Sequence, residues 1–156
     1  MTTTVLCDTN VLSELSRPRP DPAVLAWVET VERIAISVVT VEEIAYGFGW
    51  KPNPRIRAWW NAFLSSDCEI LDLNAEIARR AGDLRGTLAQ EGRIRTQADM
   101  LIAATSILRD LPLATRNVRD FADCGARVID PWQGPASSRP SPRKSNPSRT
   151  PQARRS

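Results

Sequence analysis

The sequence predicts an α/β protein with a mostly parallel central sheet flanked by helices on both faces. Short apolar runs of strand type alternate along the chain with longer amphipathic segments, as in proteins built from βαβ units. The first apolar run ends at Cys7 and is followed at once by Asp8, Thr9 and Asn10. Because open α/β sheets bind ligands beyond the carboxyl ends of their strands, this stretch is the first candidate for a functional site.

Length and charge indicate one folded domain and a separate tail. The 156 residues are enough to bury one core. Six of the 21 basic residues lie in residues 135–156 and all 18 acidic residues precede them, so residues 1–134 carry 15 basic against 18 acidic side chains, a net charge of −3. We therefore expect a folded domain over residues 1–134 and a disordered, basic tail rich in Pro, Ser and Arg over residues 135–156.

Composition excludes several kinds of site. The chain has no histidine, which excludes Ser-His and Cys-His nucleophile pairs and imidazole metal sites. Cys7, Cys68 and Cys124 form no Cys-x-x-Cys pair, so we expect reduced thiols and a cytoplasmic location. The apolar runs are too short to span a membrane and no signal peptide is recognisable. The oxygen ligands that remain favour Mg²⁺ or Mn²⁺.

Four helices and two strands are predicted in the first half of the chain. A short helix over 10–15 ends at the Arg17–Pro20 turn, and Pro22 suits the first turn of a second helix. The apolar stripe of that helix is predicted to be Ala23, Leu25, Trp27, Val28 and Val31. A strand over 34–37 precedes a helix over 40–48 that ends at Gly47 and Gly49. The fourth helix has an apolar face formed by Ile56, Trp59, Trp60, Phe63 and Leu64.

The second half continues the alternation. A strand over 70–73 is followed by a long helix for which Asn74 is a good N-cap. After a polar loop over 91–97, Asp99 opens a strongly apolar helix that continues to Leu108. Two short strands are predicted over 113–115 and 128–130.

Acidic and amide side chains follow the predicted strands. Asp8 follows the first strand, and Glu43 lies in the first turn of the helix after the second. Asp99 opens its helix, and Asn117 and Asp120 follow the strand over 113–115. The carboxyl ends of parallel strands share one edge, so we expect these side chains to converge. Clustered carboxylates repel one another unless a cation is present, and such a cluster predicts a site for one or two Mg²⁺ ions that acts on a phosphodiester.

Each acid also has a structural explanation. Thr40 and Glu43 stand at capping-box spacing, which makes Glu43 a candidate helix cap. Asp99 is a candidate cap of its own helix, Asp8 suits an Asx turn, and Asp120 suits an exposed loop. The combination, more than any one acid, favours the metal site.

Four stretches in sequence order resemble the PIN-domain ribonucleases, specifically the VapC toxins of bacterial type II toxin–antitoxin pairs. They are residues 6–15, 36–47, 98–105 and 113–121, which read LCDTNVLSEL, ISVVTVEEIAYG, ADMLIAAT and LATRNVRDF. Residues 128–132, VIDPW, are similar to the closing strand of a VapC subgroup that includes FitB-like proteins. The resemblance covers about residues 4–134 and rests on the order and spacing of the whole set.

The resemblance implies a PIN fold, Mg²⁺- or Mn²⁺-dependent endoribonuclease activity, a homodimer and inhibition by a VapB-type antitoxin. By position, the family's three core acids match Asp8, Glu43 and Asp99. The implied reaction is in-line attack by metal-activated water on RNA, with Asp8 and Asp99 as the main ligands and Glu43 ligating or orienting the water. Asn117 stands where a fourth acid, often an aspartate, is expected. This departure weakens the expectation of a second metal ion unless Asp120 replaces it.

Further residues are candidates for supporting roles. Thr9 and Thr115 match hydroxyl positions near the family's site. Four arginines are candidates for binding RNA phosphates, or else are ordinary exposed loop residues: Arg93, Arg95, Arg116 and Arg119. The tail either adds a weak, salt-sensitive attraction for RNA or is an idle extension. The face formed by Trp59, Trp60 and Phe63 packs in the core, lines a groove for an antitoxin segment, or does both.

Two other functions stay open on the sequence alone. Asp8-Thr9-Asn10 is similar to the nucleophile motif of haloacid-dehalogenase phosphatases, although that family has a second aspartate at the position of Asn10. The other is a catalytically inactive PIN domain that binds RNA or antitoxin, an alternative favoured by Asn117 alone.

Overall fold

The five strands of the structure, a computed structural model that describes residues 3–66 and 68–135, form one sheet. Each neighbouring pair runs parallel, and the strand order is β3-β2-β1-β4-β5. The predicted α/β architecture is therefore confirmed. The strands are β1 (Thr4–Cys7), β2 (Arg33–Ser37), β3 (Glu69–Leu71), β4 (Leu113–Ala114) and β5 (Val128–Ile129). The predicted disordered tail, apart from Pro135, lies outside the described residues.

Helices cover both faces of the sheet, as predicted. In β1 the side chain of Leu6 enters one core and those of Val5 and Cys7 enter the other, because alternate side chains of a strand point to opposite faces. The Leu6 core includes residues of α5, α6 and α7, and the Val5 core includes residues of α1 to α4. The helices are α1 (Thr9–Leu15), α2 (Pro22–Val28), α3 (Val38–Trp50), α4 (Pro54–Leu64), α5 (Ala75–Gln90), α6 (Gln97–Leu108) and α7 (Val118–Phe121).

The structure corrects two predicted helices. Helix α3 begins at Val38 instead of Thr40, because the Ser37 hydroxyl caps it by accepting a hydrogen bond from the Val39 amide (3.1 Å). It also continues through Gly47 and Gly49 to Trp50, although glycine in a helix interior costs about 1 kcal/mol relative to alanine. In α2 the buried residues are Val24 and Trp27, whereas Leu25, predicted for the apolar stripe, is 41% exposed.

The strand order places a topological switch between β1 and β4. The chain adds β2 and β3 on one side of β1, and β4 and β5 on the other. Cys7 pairs with Ala114 in the register of β1 and β4, so the residues that follow them, Asp8 and Thr115, leave the sheet side by side. Such a switch point opens a crevice at the carboxyl edge of the sheet.

The core interpretation of the aromatic helix is confirmed for Trp60 in α4, and the antitoxin groove stays a prediction. Trp60 is 3% exposed and packs in the core, while Trp59 is half-buried and stacks on Phe63 with ring centroids 5.2 Å apart. Cys7, Cys68 and Cys124 are free thiols, as predicted. In the described part of the chain, no helix combines the length and the apolar character needed to cross a membrane.

Candidate active site

A polar cavity of about 390 Å³ lies at the carboxyl edge of the sheet. It opens where β1 and β4 end, at the switch point of the fold. Three of the acids predicted from the sequence reach it. Its lining consists of Asp8, Thr9, Asn10, Ser13, Glu14, Arg17, Glu43, Asp99, Arg116, Asn117 and Trp132.

Asp8 is the most tightly held of these acids. It is 5% exposed and forms the N-cap of α1, and its carboxylate accepts a hydrogen bond from the Thr9 amide (2.8 Å). The other carboxylate oxygen accepts hydrogen bonds from the Thr115 hydroxyl (2.8 Å) and the Asn10 side-chain amide (3.1 Å). The Asx-turn interpretation is therefore partly right, since Asp8 caps its helix. The same carboxylate also lines the cavity.

Glu43 is not a helix cap. Ser37 caps α3, and Glu43 is the sixth residue of that helix, in its second turn, so the capping-box interpretation and the first-turn placement are both wrong. The Glu43 carboxylate instead accepts a hydrogen bond from the Thr9 hydroxyl (3.2 Å), which also lies 3.4 Å from the Thr40 hydroxyl. Thr9 thus holds Glu43 beside Asp8.

Asp99 does not cap its helix either. The N-cap of α6 is Thr96, whose hydroxyl accepts a hydrogen bond from the Asp99 amide (3.1 Å). Asp99 is the third helical residue instead of the first, and its side chain lines the cavity. A carboxylate in the first turn of a helix interacts favourably with the helix dipole, but the cap itself is supplied by another residue.

Burial raises the pKa of all three carboxyl groups above their ordinary values. For Asp8, burial outweighs the hydrogen bonds that lower its pKa, and the charge of Asp99 raises it further. The pKa of Glu43 is raised by burial and by the charges of Asp8 and Asp99. The pKa of Asp99 is raised by burial and by the charge of Asp120. The cavity therefore holds mutually repelling carboxylates, the condition under which a bound cation is most stabilising.

Asn117 lines the cavity, whereas Thr115 does not. Thr115 is fully buried; its hydroxyl donates to Asp8 and accepts hydrogen bonds from the Asn10 side chain (3.3 Å) and the Asn117 amide (3.0 Å). Asn117 stands at the N-cap position of α7, but its side chain makes no capping hydrogen bond, and it lines the cavity. The side-chain amide of Asn117 is thus available to a ligand.

The remaining predicted residues lie outside the cavity lining, except for Arg116. Arg93 forms ion pairs with Glu91 and Asp123. The side chain of Arg95 donates to the carbonyl oxygen of Asp120 (3.1 Å) and also pairs with Asp123. Arg119 lies on the exposed surface of α7.

Several residues that line the cavity were missed by the sequence analysis. Asn10 bridges the two central strands, because its side chain donates to Asp8 and Thr115 and accepts from the Arg116 amide (3.2 Å). Glu14 is buried and paired with Arg17 (3.1 Å). Trp132 follows β5 in a short 3-10 turn. The sequence signal for Asn10 was its spacing of two from Asp8; no comparable signal identified Glu14 or Trp132.

The donor chemistry of the cavity fits Mg²⁺ or Mn²⁺, since all of its candidate ligands are oxygen atoms of carboxylates, hydroxyls and amides. Within residues 3–66 and 68–135, no three acidic or thiol side chains are close enough together to bind one ion simultaneously. This spacing does not conflict with Mg²⁺, which proteins usually bind through one or two carboxylates together with several waters. Asp8, Glu43 and Asp99 line the same cavity and are the carboxylates that could supply one or two such ligands.

Comparisons with known proteins agree with this geometry. The family model of the PIN domain matches residues 5–126. The chain is 31% identical over 137 residues to "VapC ribonuclease Y4jK" of Sinorhizobium fredii, an alignment that covers 83% of this chain and 98% of the relative.

Among solved structures, similarity extends to toxin–antitoxin complexes. The FitAcB structure from Neisseria gonorrhoeae has a TM-score of 0.73 and 29% identity, and covers 82% of this chain and 98% of that chain. A toxin–antitoxin complex from Klebsiella pneumoniae has a TM-score of 0.62 and 30% identity, with 81% and 97% covered.

The raised pKa of Glu43 predicts a pH-dependent gain in stability for Glu43→Gln. As the pH rises above the ordinary glutamate pKa of about 4.3, the folded wild type loses stability because its carboxyl group keeps a proton that the unfolded chain releases. At pH 7 in EDTA we therefore expect Glu43→Gln to raise Tm by about a few degrees. The gain should disappear near pH 4.

Thermal denaturation monitored by circular dichroism from pH 4 to pH 8 measures this effect. The matched control is Glu42→Gln, an exposed neighbour on the same helix, which should change Tm little at any pH. A Glu43→Gln protein that is less stable than wild type at pH 7, or equally stabilised at pH 4, would contradict the electrostatic interpretation.

Proposed function

The chain belongs to the PIN-domain family, and from this premise we propose that it is the toxin of a type II toxin–antitoxin pair, a metal-dependent endoribonuclease that hydrolyses RNA phosphodiester bonds. The observation that carries the proposal is the convergence of Asp8, Glu43 and Asp99 on one cavity. Its similarity to a VapC ribonuclease and to a toxin–antitoxin complex supports it. The family assignment replaces the haloacid-dehalogenase alternative.

We propose that Asp8 and Asp99 hold Mg²⁺, or Mn²⁺ in its place, with Glu43 as a further ligand or as the acceptor of a water proton. The bound ion would lower the pKa of a water molecule and offset charge on the phosphate. Thr115, Thr9 and Asn10 fix the Asp8 carboxylate through three hydrogen bonds. That carboxylate is therefore oriented before any ligand arrives, which reduces the reorganisation needed on binding.

Glu43 and Arg116 supply the remaining roles in this mechanism. The raised pKa of Glu43 favours proton uptake from the attacking water, and the Thr9 hydroxyl holds one of its oxygens. Arg116 lines the same cavity and would bind a phosphate oxygen of the RNA. In-line attack would leave a 5′-phosphate and a 3′-hydroxyl. Asn117 would contribute a neutral amide oxygen where a fourth carboxylate is expected. The missing negative charge favours one tightly held ion over two.

We propose that a VapB-type antitoxin segment occupies a second groove that borders the cavity. This groove, of about 400 Å³, lies between α1, α3 and α4, and Ile44, Phe48, Ile56 and Trp60 form its apolar part. Thr9, Arg17 and Glu43 line both the groove and the cavity. A segment bound in the groove would therefore lie against the RNA site and could inhibit cleavage by occlusion.

The homodimer and the cytoplasmic location are further parts of the proposal. Tyr46 and Trp50 are 66% and 69% exposed. They stand four residues apart on α3 and so share one face of that helix. Exposed aromatic surface of this kind is characteristic of subunit contacts.

The cytoplasmic location follows from the predicted RNA substrate and agrees with the free thiols.

We also propose that residues 1–134 form the nuclease domain and that the basic tail adds attraction for RNA. The family match ends at residue 126, inside that domain. The domain has a net charge of −3, and its cavity is lined by four acids but two arginines, one of them paired with Glu14. A polyanion approaching this site would gain from the six positive charges of the tail.

Cleavage of a panel of structured RNAs, including tRNAs, tests the proposed activity. We expect protein purified free of antitoxin to cleave with Mg²⁺ or Mn²⁺ and to lose activity in EDTA. Asp8→Asn and Asp99→Asn should each reduce the rate by on the order of 100-fold or more, since a metal-ion contribution of several kcal/mol is lost. The exposed Asp72→Asn is the matched control and should retain full activity.

Equal cleavage by wild type and Asp8→Asn would indicate a contaminating nuclease or a different site. A folded wild-type protein that binds RNA or antitoxin without cleaving would support the inactive binding module instead.

Antitoxin binding should depend on the apolar wall of the groove. Phe48→Ala removes part of that wall, and we expect it to weaken binding of the cognate antitoxin roughly 30-fold, as for an interface residue worth about 2 kcal/mol. Binding is measured by the change in tryptophan fluorescence, to which Trp60 in the groove contributes. Leu25→Ala, on α2 and outside the groove lining, is the control. Unchanged affinity of Phe48→Ala, or no fluorescence change, would argue against this groove.

Removal of the tail should reduce the salt dependence of RNA binding. For a chain truncated after Gly134, we expect the slope of a plot of log K for RNA binding against log [salt] to become less steep by up to about 4. Each of six phosphate contacts contributes about 0.7 to that slope for single-stranded RNA. Fluorescence anisotropy with labelled RNA over a series of KCl concentrations provides the slope. If slope and cleavage are both unchanged, the tail is an idle extension.

A further inference from the structure

Trp132 is held rigidly on the wall of the cavity. It follows β5 in the turn Pro131–Gln133, where the Asp130 carboxylate accepts a hydrogen bond from the Trp132 amide (3.0 Å). Pro131 is buried, and the turn packs against α2. The indole itself is half-buried and lines the cavity. The backbone that carries the indole is therefore held in place independently of any ligand.

Trp132 packs against the Val5 core and differs in character from the other residues that line the cavity. The other described residues that line the cavity are polar or charged. An indole face presented to a polar cavity forgoes part of the stabilisation that full burial would give it. A flat, polarisable ligand stacked on the ring would recover this stabilisation.

Arg116 places a positive charge against the same ring. Its guanidinium carbon lies 5.0 Å from the centroid of the Trp132 ring, within the range of a cation–π interaction. Its backbone amide donates to the Asn10 side chain (3.2 Å), which fixes the start of this loop beside Asp8. In the described part of the chain no carboxylate forms an ion pair with Arg116, whereas Arg17, the other lining arginine, is paired with Glu14.

We propose that Trp132 and Arg116 form a subsite for one unpaired RNA nucleotide, in which the base replaces the Arg116 guanidinium over the indole and the guanidinium binds the adjoining phosphate. A base and its phosphate together require an aromatic face and a positive charge, and this pair provides both on one wall. Bases inside a duplex are already stacked and cannot reach such a ring, so the nucleotide bound at this subsite must be unpaired. The inference rests on the proposed nuclease function.

Binding, measured separately from cleavage, tests the subsite. Asp8→Asn protein is titrated with a labelled single-stranded oligoribonucleotide in Ca²⁺, which supplies counter-charge to the acidic cavity, and anisotropy and tryptophan fluorescence are recorded. We expect Trp132→Ala to weaken binding roughly 5- to 150-fold, the range for loss of one base–aromatic stack. Trp132→Phe should restore most of the affinity but abolish most of the RNA-dependent quenching. Trp59→Phe, a half-buried tryptophan outside the cavity lining, should change neither.

Inorganic polyphosphate separates the base contact from the phosphate contact. It carries the charge of RNA without any base, so Trp132→Ala should leave its binding unchanged. Arg116→Ala should weaken binding of both polyphosphate and RNA, by roughly 10- to 100-fold for loss of a charge-assisted hydrogen bond. Equal weakening of both ligands by Trp132→Ala would mean that the indole only supports the fold or positions Arg116, and would overturn the base-stacking proposal.

Other outcomes distinguish the subsite from the function on which it rests. Cleavage of RNA by wild type, combined with unchanged oligonucleotide affinity in Trp132→Ala, would overturn the subsite and leave the nuclease intact. Absence of both cleavage and RNA binding in the parent protein would overturn both. Equal affinity for the oligonucleotide and for its fully paired duplex would also overturn the single-strand specificity.

Discussion

The candidate site depends on the buried hydrogen bond that joins Asp8 and Thr115 across the two central strands. The residues are 107 positions apart in sequence, yet the parallel pairing of β1 with β4 places them side by side. The Asp8 amide also donates to the Ala114 carbonyl oxygen (2.9 Å), so backbone and side chain are both anchored to β4. A hydrogen bond in such a water-poor environment is strong, and its loss leaves a costly unpaired group. The orientation of the Asp8 carboxylate is thus set by the pairing of β1 with β4.

Three of the four acids of the cavity divide into two kinds according to their partners. Glu14 is paired with Arg17 and also accepts a hydrogen bond from the Asp21 amide (2.8 Å), so its charge is offset within the protein. Asp8 and Glu43 accept hydrogen bonds from neutral hydroxyl and amide groups, which orient the carboxylates without offsetting their charge. The negative charge of these two carboxylates therefore has no partner of opposite charge among these hydrogen bonds. A divalent cation bound in the cavity would offset it.

The sequence predicted the architecture and the acids better than the boundaries and the contacts. Alternating apolar patterns locate strands and helices because each element must bury one face, and parallel strands bring their ends to one edge. The start and end of α3 were wrong because a serine cap and tertiary packing outweighed the local signals of Thr40, Gly47 and Gly49. Arg93 proved to be engaged by Glu91 and Asp123, partners whose proximity depends on how separate loops fold. Asn10 was overlooked because its role requires Thr115, which periodicity cannot place beside it.

The long separation between Asp8 and Thr115 has a consequence for synthesis. The ribosome translates Asp8 107 positions before Thr115, so β4 and the residues that complete the cavity emerge long after that carboxylate. Until they emerge, β1 has an unpaired edge and the acids have no common cavity. A protein with this topology cannot assemble its site before β4 has been made. If it cleaves RNA, the ribosome and messenger that produce it are spared while this stretch is being translated.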